Sequence, residues 1–102
     1  ALGGYVYPRY NYVTTAAATS TAVSGDYIFI TVATHTCTLP TAVGVAGKTI
    51  GVIVTATPAG PATVVVDTTG AETINGAATQ PLAAQFTSYT FISDGTNWFV
   101  AN

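Results

Sequence analysis

Short runs of apolar and polar residues in alternation, separated by turn residues, cover most of the chain. Strand-like runs occupy residues 26–32, 36–39, 48–56, 62–67, 85–93 and 98–100. In the third run, Ile50, Val52 and Val54 share one face, because successive side chains of a strand point to opposite sides. Turn signals recur about every 8 to 12 residues, as in sandwiches and barrels. The pattern predicts an all-β fold, a small antiparallel β-sandwich or a jelly-roll-like barrel.

The first 25 residues differ in character from the rest. Residues 14–21 (TTAAATST) are low in complexity and fit a linker, a loop or an edge strand. Ahead of them, four tyrosines surround Pro8 and Arg9. We therefore divide the chain into a tyrosine-rich segment with a linker or edge strand, residues 1–25, and a β-domain, residues 26–102. No fixed repeat of roughly 20 to 50 residues is visible.

Two turns have clear local chemistry. Asn75-Gly76 favours a tight hairpin, because both residues accept a positive φ, and Ile74 before it can point inward. In the turn at 94–97, Asp94 can accept backbone N–H groups two residues on, and Gly95 supplies a left-handed φ. Trp98 follows with a large ring and one N–H that needs a partner. These residues indicate how the domain is built.

Charged residues make up 6% of the chain, and the net charge is −2, against about 25% charged residues in ordinary domains. Two basic residues, Arg9 and Lys48, are too few for a nucleic-acid footprint. No apolar stretch approaches the roughly 20 residues of a membrane span, and the aromatic and β-branched content excludes disorder. The single cysteine excludes an internal disulfide framework.

The neutral surface has a consequence for assembly. Twenty threonines and seventeen alanines must supply much of the exterior that a small domain leaves in water. A lone monomer with large exposed apolar areas is prone to aggregate. We therefore expect copies of the chain to cover one another in an obligate homo-oligomer.

The C-terminal two-thirds carries an ordered set of short motifs. These are Thr38-Leu39-Pro40, Gly47-Lys48 before an alternating strand, Glu72-Thr73-Ile74-Asn75-Gly76-Ala77-Ala78, and SDGTNWFV at residues 93–100. The set resembles the C-terminal domains of bacteriophage tail fibres, tail spikes and other virion-surface fibres, over roughly residues 26–102. The resemblance implies a homotrimeric β-domain of a tail or head fibre, extracellular when assembled. It implies trimerisation, attachment to a host cell-surface glycan or protein, or both.

Two other functions stay open. One is a free-standing carbohydrate-binding β-sandwich module, monomeric and with exposed aromatic rings. The other is the trimerising cap of a depolymerising tail spike, which has the same mass as a fibre trimer and differs in what precedes Ala1. In the fibre interpretation, the loops near residues 57–62, 68–71 and 79–82 are the candidates for contact with the host.

Catalytic groups are few, and we predict a protein that is not an enzyme and has no cofactor. Asp67 and Glu72 flank a short loop and are conceivable as a glycosidase pair, but nothing in the sequence supplies a pocket. Solvated loop carboxylates are the simpler interpretation. A Ser-His-Asp triad requires a serine and a carboxylate beside His35, and the chain has no GxSxG motif.

His35 and Cys37 are the candidates for a metal site. Residues two apart on a strand face the same side, but two ligands are too few for a closed zinc site. A threefold axis triples that number, and the resemblance implies such a site as an alternative, because some phage fibres bind a metal through histidines of three chains. Those usually carry His-x-His, whereas Cys37 stands in the second place here. We expect these residues to pack, with metal binding as the alternative.

Aromatic residues are the candidates for ligand binding. Their rings stack on sugars, and Arg or Asn side chains bind sugar hydroxyls; the candidate residues are Tyr5, Tyr7, Arg9, Tyr10, Tyr12 and Trp98. The same tyrosines suit packing at a subunit interface or against a preceding shaft. Lys48 suits a phosphate-bearing host polymer or, more simply, a solvated surface position.

Overall fold

The computed structural model describes residues 11–101, which fold into two packed sheets without a helix among their elements. The strands are β1 (Asn11–Thr15), β2 (Thr19–Thr21), β3 (Asp26–Ile30), β4 (His35–Thr38), β5 (Thr49–Val54), β6 (Val64–Asp67), β7 (Thr79–Pro81), β8 (Ser88–Ser93) and β9 (Trp98–Val100). Sheet A has the order β1-β3-β5-β8-β9, and sheet B has the order β2-β4-β6-β7. The predicted all-β class and two-layer, sandwich-like arrangement are confirmed.

The strand directions are mixed, which corrects the antiparallel prediction. From β1 to β6 the chain alternates between the two sheets, so that β1, β3 and β5 are parallel, as are β2, β4 and β6. Parallel neighbours need a connection that crosses back, and here a strand of the opposite sheet is part of that connection. Only β7, β8 and β9 pair antiparallel with their neighbours.

This solenoid-like path has unequal turns. Tyr12 pairs with Tyr27, 15 residues on, whereas Tyr27 pairs with Gly51, 24 residues on. Equivalent positions therefore do not recur at a fixed spacing. For this reason a search for a constant repeat in the sequence finds none.

One apolar interior lies between the sheets. Its fully buried side chains include Ile28, Ile30, Leu39, Ile50, Val52, Val54, Val64, Val66, Leu82, Phe91 and Trp98. The predicted inward face of β5 is confirmed by this set. In contrast, the run at 62–67, expected to be buried on both faces, buries only Val64 and Val66, while Val65 and Asp67 are half-buried on the outside.

The edges of the sheets hold the strands that the sequence left undecided or missed. Residues 14–21 include the end of β1 and all of β2, which are the first strands of their sheets. The loop expected at 79–82 is wrong, because Thr79–Pro81 form β7. Pro81 is tolerated there because β7 is an edge strand, where a missing backbone N–H leaves no neighbour unpaired. Within residues 11–101, no helix is long and apolar enough to cross a membrane.

Candidate functional site

Three of the segments that carry the family resemblance meet around Trp98 at one end of the sheets. Trp98 is fully buried, and its indole N–H donates to the carbonyl of Pro40 at 3.0 Å across 58 residues of sequence. The Trp98 backbone N–H donates to the Thr73 carbonyl at 2.9 Å, and the Asn75 N–H donates to the Trp98 carbonyl at 3.0 Å. The TLP, ETINGA and SDGTNW segments are therefore bonded to one another directly.

The Gly47-Lys48 segment joins the same end through Ser93. The Ser93 hydroxyl donates to the Ala42 carbonyl at 2.7 Å, and the Gly47 N–H donates to the Ser93 carbonyl at 2.8 Å. Gly47 has φ +82, a conformation that a glycine adopts without strain. Lys48 is exposed, as expected for a solvated lysine. We call this set of contacting segments the motif cluster.

Asp67 and Glu72, the conceivable glycosidase pair, accept hydrogen bonds from nearby backbone groups. Glu72 accepts the Ala42 N–H at 2.8 Å and the Thr41 hydroxyl at 2.5 Å. Asp67 accepts the N–H of Thr68 at 2.8 Å. Both carboxylates are therefore hydrogen-bonded to structural groups of the chain. Asp67 is the last residue of β6 and Glu72 lies in the following loop, and both are half-buried and hydrogen-bonded instead of fully solvated.

The two predicted turns are confirmed in detail. Asn75 and Gly76 have φ values of 50 and 86, and Ile74 and Ala77 exchange backbone hydrogen bonds of 2.7 and 2.9 Å. Asp94 accepts the N–H groups of Thr96 at 2.9 Å and Asn97 at 2.8 Å. These hydrogen bonds to the charged form lower the pKa of Asp94. The motif residues thus have structural roles that their local chemistry predicts.

His35 and Cys37 both point into the interior, as the strand spacing predicts, but the contacts of His35 oppose a metal site. Its Nδ1 lies 2.6 Å from the Ala17 carbonyl, and its Nε2 lies 2.8 Å from the Ser20 hydroxyl. A carbonyl only accepts, so Nδ1 carries a proton, and in the neutral ring Nε2 accepts from Ser20. Both ring nitrogens are therefore engaged within the protein.

Cys37 is also poorly suited to bind a metal. Burial raises the pKa of its thiol, and this effect outweighs a hydrogen bond with Ser20, which lowers it. A buried neutral thiol is not the thiolate that metals require. Among residues 11–101 there is no group of three or more His, Cys, Asp or Glu side chains placed to hold a metal ion. The contacts of the described chain support packing.

Ser20 beside His35 gives part of a nucleophile–base arrangement, which sequence reasoning did not find. The pairing depends on β2 lying in register with β4, where Ser20 is opposite Cys37, and no local pattern reveals that register. The partner that orients the ring is the Ala17 carbonyl, in the place where a triad has a carboxylate. His35 is only 1% exposed. The hydrogen bonds fix a buried ring between the edge strand and the interior.

The outer face of sheet A is the main feature that the sequence did not reveal. Three rows of the strand register define it: Tyr12, Tyr27, Gly51, Thr90; Thr14, Phe29, Ile53, Ser88; and Thr49, Ile92, Phe99. Four aromatic and two isoleucine side chains stand among hydroxyl groups, without a charged residue. Tyr12 is 68% exposed, and its ring meets that of Phe29 in a T-shaped contact at 5.0 Å.

Gly51 lets an aromatic ring lie flat on this outer face. A Cβ placed on Gly51 would lie 2.6 Å from both Cε1 and Cζ of Tyr27 and 2.8 Å from its Cδ1. Similar distances to three consecutive ring atoms mean that the ring covers Gly51 with its face. No other residue type provides that space, so Gly51 in the middle of β5 is explained by close approach of a ring.

Of the predicted ligand residues, the two that the structure describes, Tyr12 and Trp98, do not lie together. Tyr12 lies on the outer face of sheet A, whereas Tyr5, Tyr7, Arg9 and Tyr10 fall outside the described residues. The Trp98 ring is fully buried in the interior between the sheets. Trp98 is therefore a packing residue in this structure, and among the predicted residues an aromatic ligand-binding surface would have to be formed by the tyrosines.

The loops expected to contact the host lie at opposite ends of the sheets. The loop containing 57–62 joins the end of β5 to the start of β6, whereas 68–71 follows the end of β6 on the side of the motif cluster. Near the first loop, Phe86 is 66% exposed with φ 68, an uncommon conformation for a bulky residue. These loops therefore do not form one continuous surface.

Comparisons with known proteins add no relative. No protein-family model matches the chain, and no curated protein sequence matches it.

Proposed function

We propose that the chain is a fibre domain of a bacteriophage virion, which assembles as a homotrimer and supports attachment to the host cell surface. It acts without catalysis and without a cofactor. In this proposal the domain is exposed outside the host cell on a tail or head fibre. Its partners are its own copies and a host glycan or protein.

The observation that carries the proposal is the convergence of the motif segments on Trp98. The resemblance to phage fibres rests on four short motifs in a fixed order, any of which alone is common. Hydrogen bonds join these segments, including Trp98 to Pro40 and Asn75 to Trp98. An ordered set that folds into one contact network is more specific than a chance run of turn sequences. This supports treating the set as a structural signature.

The hydrogen bonding of the polar side chains supports a structural function. In the part of the chain that the structure describes, every buried side-chain nitrogen and oxygen has a hydrogen-bond partner. The carboxylates of Asp67, Glu72 and Asp94 all accept hydrogen bonds from backbone N–H groups. Such a molecule is suited to present a rigid surface, and three linked copies strengthen weak contacts through avidity.

The test combines mass and cell binding. Light scattering on the purified chain is expected to give three times the chain mass of 10.3 kDa. The fluorescently labelled protein is then incubated with a panel of intact bacterial strains and with their isolated surface polysaccharides. Saturable binding to some strains and not others supports the proposal. A monomer that binds soluble oligosaccharides favours the carbohydrate-binding module instead.

A further inference from the structure

We propose that the end of the sheets opposite the motif cluster binds an uncharged glycan, with the exposed Phe86 ring as its main contact. This inference rests on the proposed function, because it names the ligand class and the site for attachment to the host. Four connections between strands form this end: residues 16–18, 31–34, 55–63 and 82–87. We call these connections the neutral end.

Charge separates the two ends of the molecule. Within residues 11–101, the acidic and basic side chains are Asp26, Lys48, Asp67, Glu72 and Asp94. They all lie at the end of the motif cluster: at the start of β3, just before β5, at the end of β6, and in the connections after β6 and β8. The neutral end contains none of them. An acidic or basic ligand therefore finds no opposite charge there, and an uncharged ligand is favoured.

Phe86 has a backbone conformation that a phenylalanine adopts only with strain. Its φ is 68, a left-handed value that is an outlier for a bulky residue, and its side chain is 66% exposed. Its N–H donates to the Val54 carbonyl at 2.7 Å, a bond that glycine would make without strain. The ring therefore contributes little to the interior and burdens the backbone. Because such strain is concentrated at functional sites, we assign the ring to ligand contact.

Gln85, the residue before Phe86, supplies polar groups in a fixed position. Its Nε2 donates to the Thr55 carbonyl at 3.0 Å, and its Oε1 accepts the Thr57 hydroxyl at 3.2 Å. A glutamine amide has two N–H donors and an oxygen with two lone pairs, so each group retains capacity for one further hydrogen bond. A sugar hydroxyl both donates and accepts, as other hydroxyls do. The Gln85 amide is therefore suited to bind hydroxyl groups of a sugar next to the ring.

Hydrogen bonds hold the connections of the neutral end together. The Thr63 hydroxyl donates to the Ala33 carbonyl at 3.0 Å, and the Ala59 N–H donates to the same carbonyl at 2.9 Å. The Thr55 N–H donates to the Ile30 carbonyl at 2.8 Å. Loops that are already fixed lose little conformational entropy when a ligand binds. The neutral end is therefore prepared for a weakly binding ligand.

The size of the neutral end favours a glycan over a protein or a second copy of the chain. Two sheets about 10 Å apart, the wider with five strands spaced by about 4.8 Å, have an end of roughly 240 Å² in projection. A standard protein interface takes about 800 Å² from each partner. A sugar that stacks on one ring needs far less area. Three copies in a fibre trimer then strengthen the weak single contacts through avidity.

The experiment uses the whole 102-residue chain on an array of uncharged hexose oligosaccharides and acidic oligosaccharides that contain uronic acids. Phe86→Gly removes the ring together with the backbone strain, whereas Phe86→Tyr keeps an aromatic ring. Phe99→Ala is the control, because it removes another exposed phenylalanine ring, on the outer face of sheet A. Thermal unfolding reports that each variant is folded, and Phe86→Gly is expected to unfold at or above the temperature of the wild type.

The wild type, Phe86→Tyr and Phe99→Ala are expected to bind uncharged oligosaccharides with affinities within about threefold of one another, and Phe86→Gly at least about tenfold more weakly. If Phe86→Gly does not fold, Phe86→Ala decides.

Three results overturn this inference and leave the proposed function intact. They are unchanged binding by folded Phe86→Gly, loss of binding in Phe99→Ala, and a wild type that binds bacterial cells but no uncharged oligosaccharide. A wild type that binds neither the array nor any bacterial strain overturns both the inference and the proposed attachment to the host.

Discussion

The two sheets share one interior but present different exteriors. The outer face of sheet A has aromatic and isoleucine side chains in register, whereas the outer face of sheet B has rows such as Thr19-Thr36 and Thr21-Thr38. Both sheets combine parallel and antiparallel strands and show the same inward alternation of apolar residues. Folding alone therefore does not require the aromatic residues on the outside of sheet A. The two exteriors therefore differ in chemistry although they enclose one interior.

The largest expected effect is the loss of the buried Trp98 ring on β9, a strand whose neighbouring residues alternate between the interior and the outer face. Trp98→Ala removes a fully buried ring and leaves the Pro40 carbonyl without its donor. We expect a loss of about 3 to 5 kcal/mol in the free energy of unfolding. Urea unfolding followed by far-UV circular dichroism at one protein concentration measures it.

The matched control is Phe99→Ala, one residue further along β9 and on the outer face. Its expected cost to the stability of a single chain is about 1 kcal/mol or less. Equal losses in the two variants would contradict the division between interior and outer face.

The next prediction concerns the Tyr27 ring, which lies flat against Gly51 on sheet A. Gly51→Ala places a methyl group where the Tyr27 ring lies, and we expect a loss of about 1 to 3 kcal/mol from overpacking. Thr36→Ala, on the outer face of sheet B, is expected to change stability by about 0.5 kcal/mol or less. Thermal unfolding of the single variant Tyr27→Ala and of the double variant Tyr27→Ala/Gly51→Ala completes the double-mutant cycle. If Gly51→Ala costs as much without the Tyr27 ring as with it, the ring is not the cause.

A third effect concerns the interior side of sheet B. Ser20→Ala removes the hydroxyl that pairs with Nε2 of the buried His35, and we expect a loss of about 1 to 3 kcal/mol. The neighbouring Thr21→Ala faces outward and is the control, with an expected change of about 0.5 kcal/mol or less. Chemical denaturation of both variants measures the difference. A smaller loss in Ser20→Ala than in Thr21→Ala runs against the hydrogen-bonded role of Ser20.

The smallest effect lies in the turn between β8 and β9. The lowered pKa of Asp94 means that its charged form is favoured in the folded state. The resulting stabilisation is present above the unfolded pKa of about 3.9 and is lost as the pH falls through the lower folded pKa. Unfolding midpoints of the wild type and Asp94→Asn are expected to differ slightly at neutral pH and to converge in acid. A difference that grows in acid has the wrong sign for this account.

Local chemistry predicted much of the fold. The alternation in β5 identified its buried face, Asn75-Gly76 identified the hairpin, and Asp94 identified the turn before β9, because each signal lies within a few residues. The parallel order of the strands had no such signal, since the connections between equivalent strands differ in length. Because proline is rare within strands, the sequence predicted a loop where Thr79–Pro81 form β7.

The features that bear on function depended on distant pairings. The outer face of sheet A joins Tyr12, Tyr27 and Gly51 across three strands, and their separation in sequence gives no hint that they touch. Likewise, the partners of His35 come from the segment around β2, whose sequence fits a linker, a loop or an edge strand equally well. Only the register of the sheets brings these residues together.

The central claim is that copies of this chain cover one another, and the mass of the unmodified protein over a dilution series tests it most directly. Sedimentation measurements are expected to give three chain masses at micromolar concentration, with dissociation only on strong dilution. A folded species of one chain mass at every concentration, with Trp98 still shielded from water, would contradict the claim.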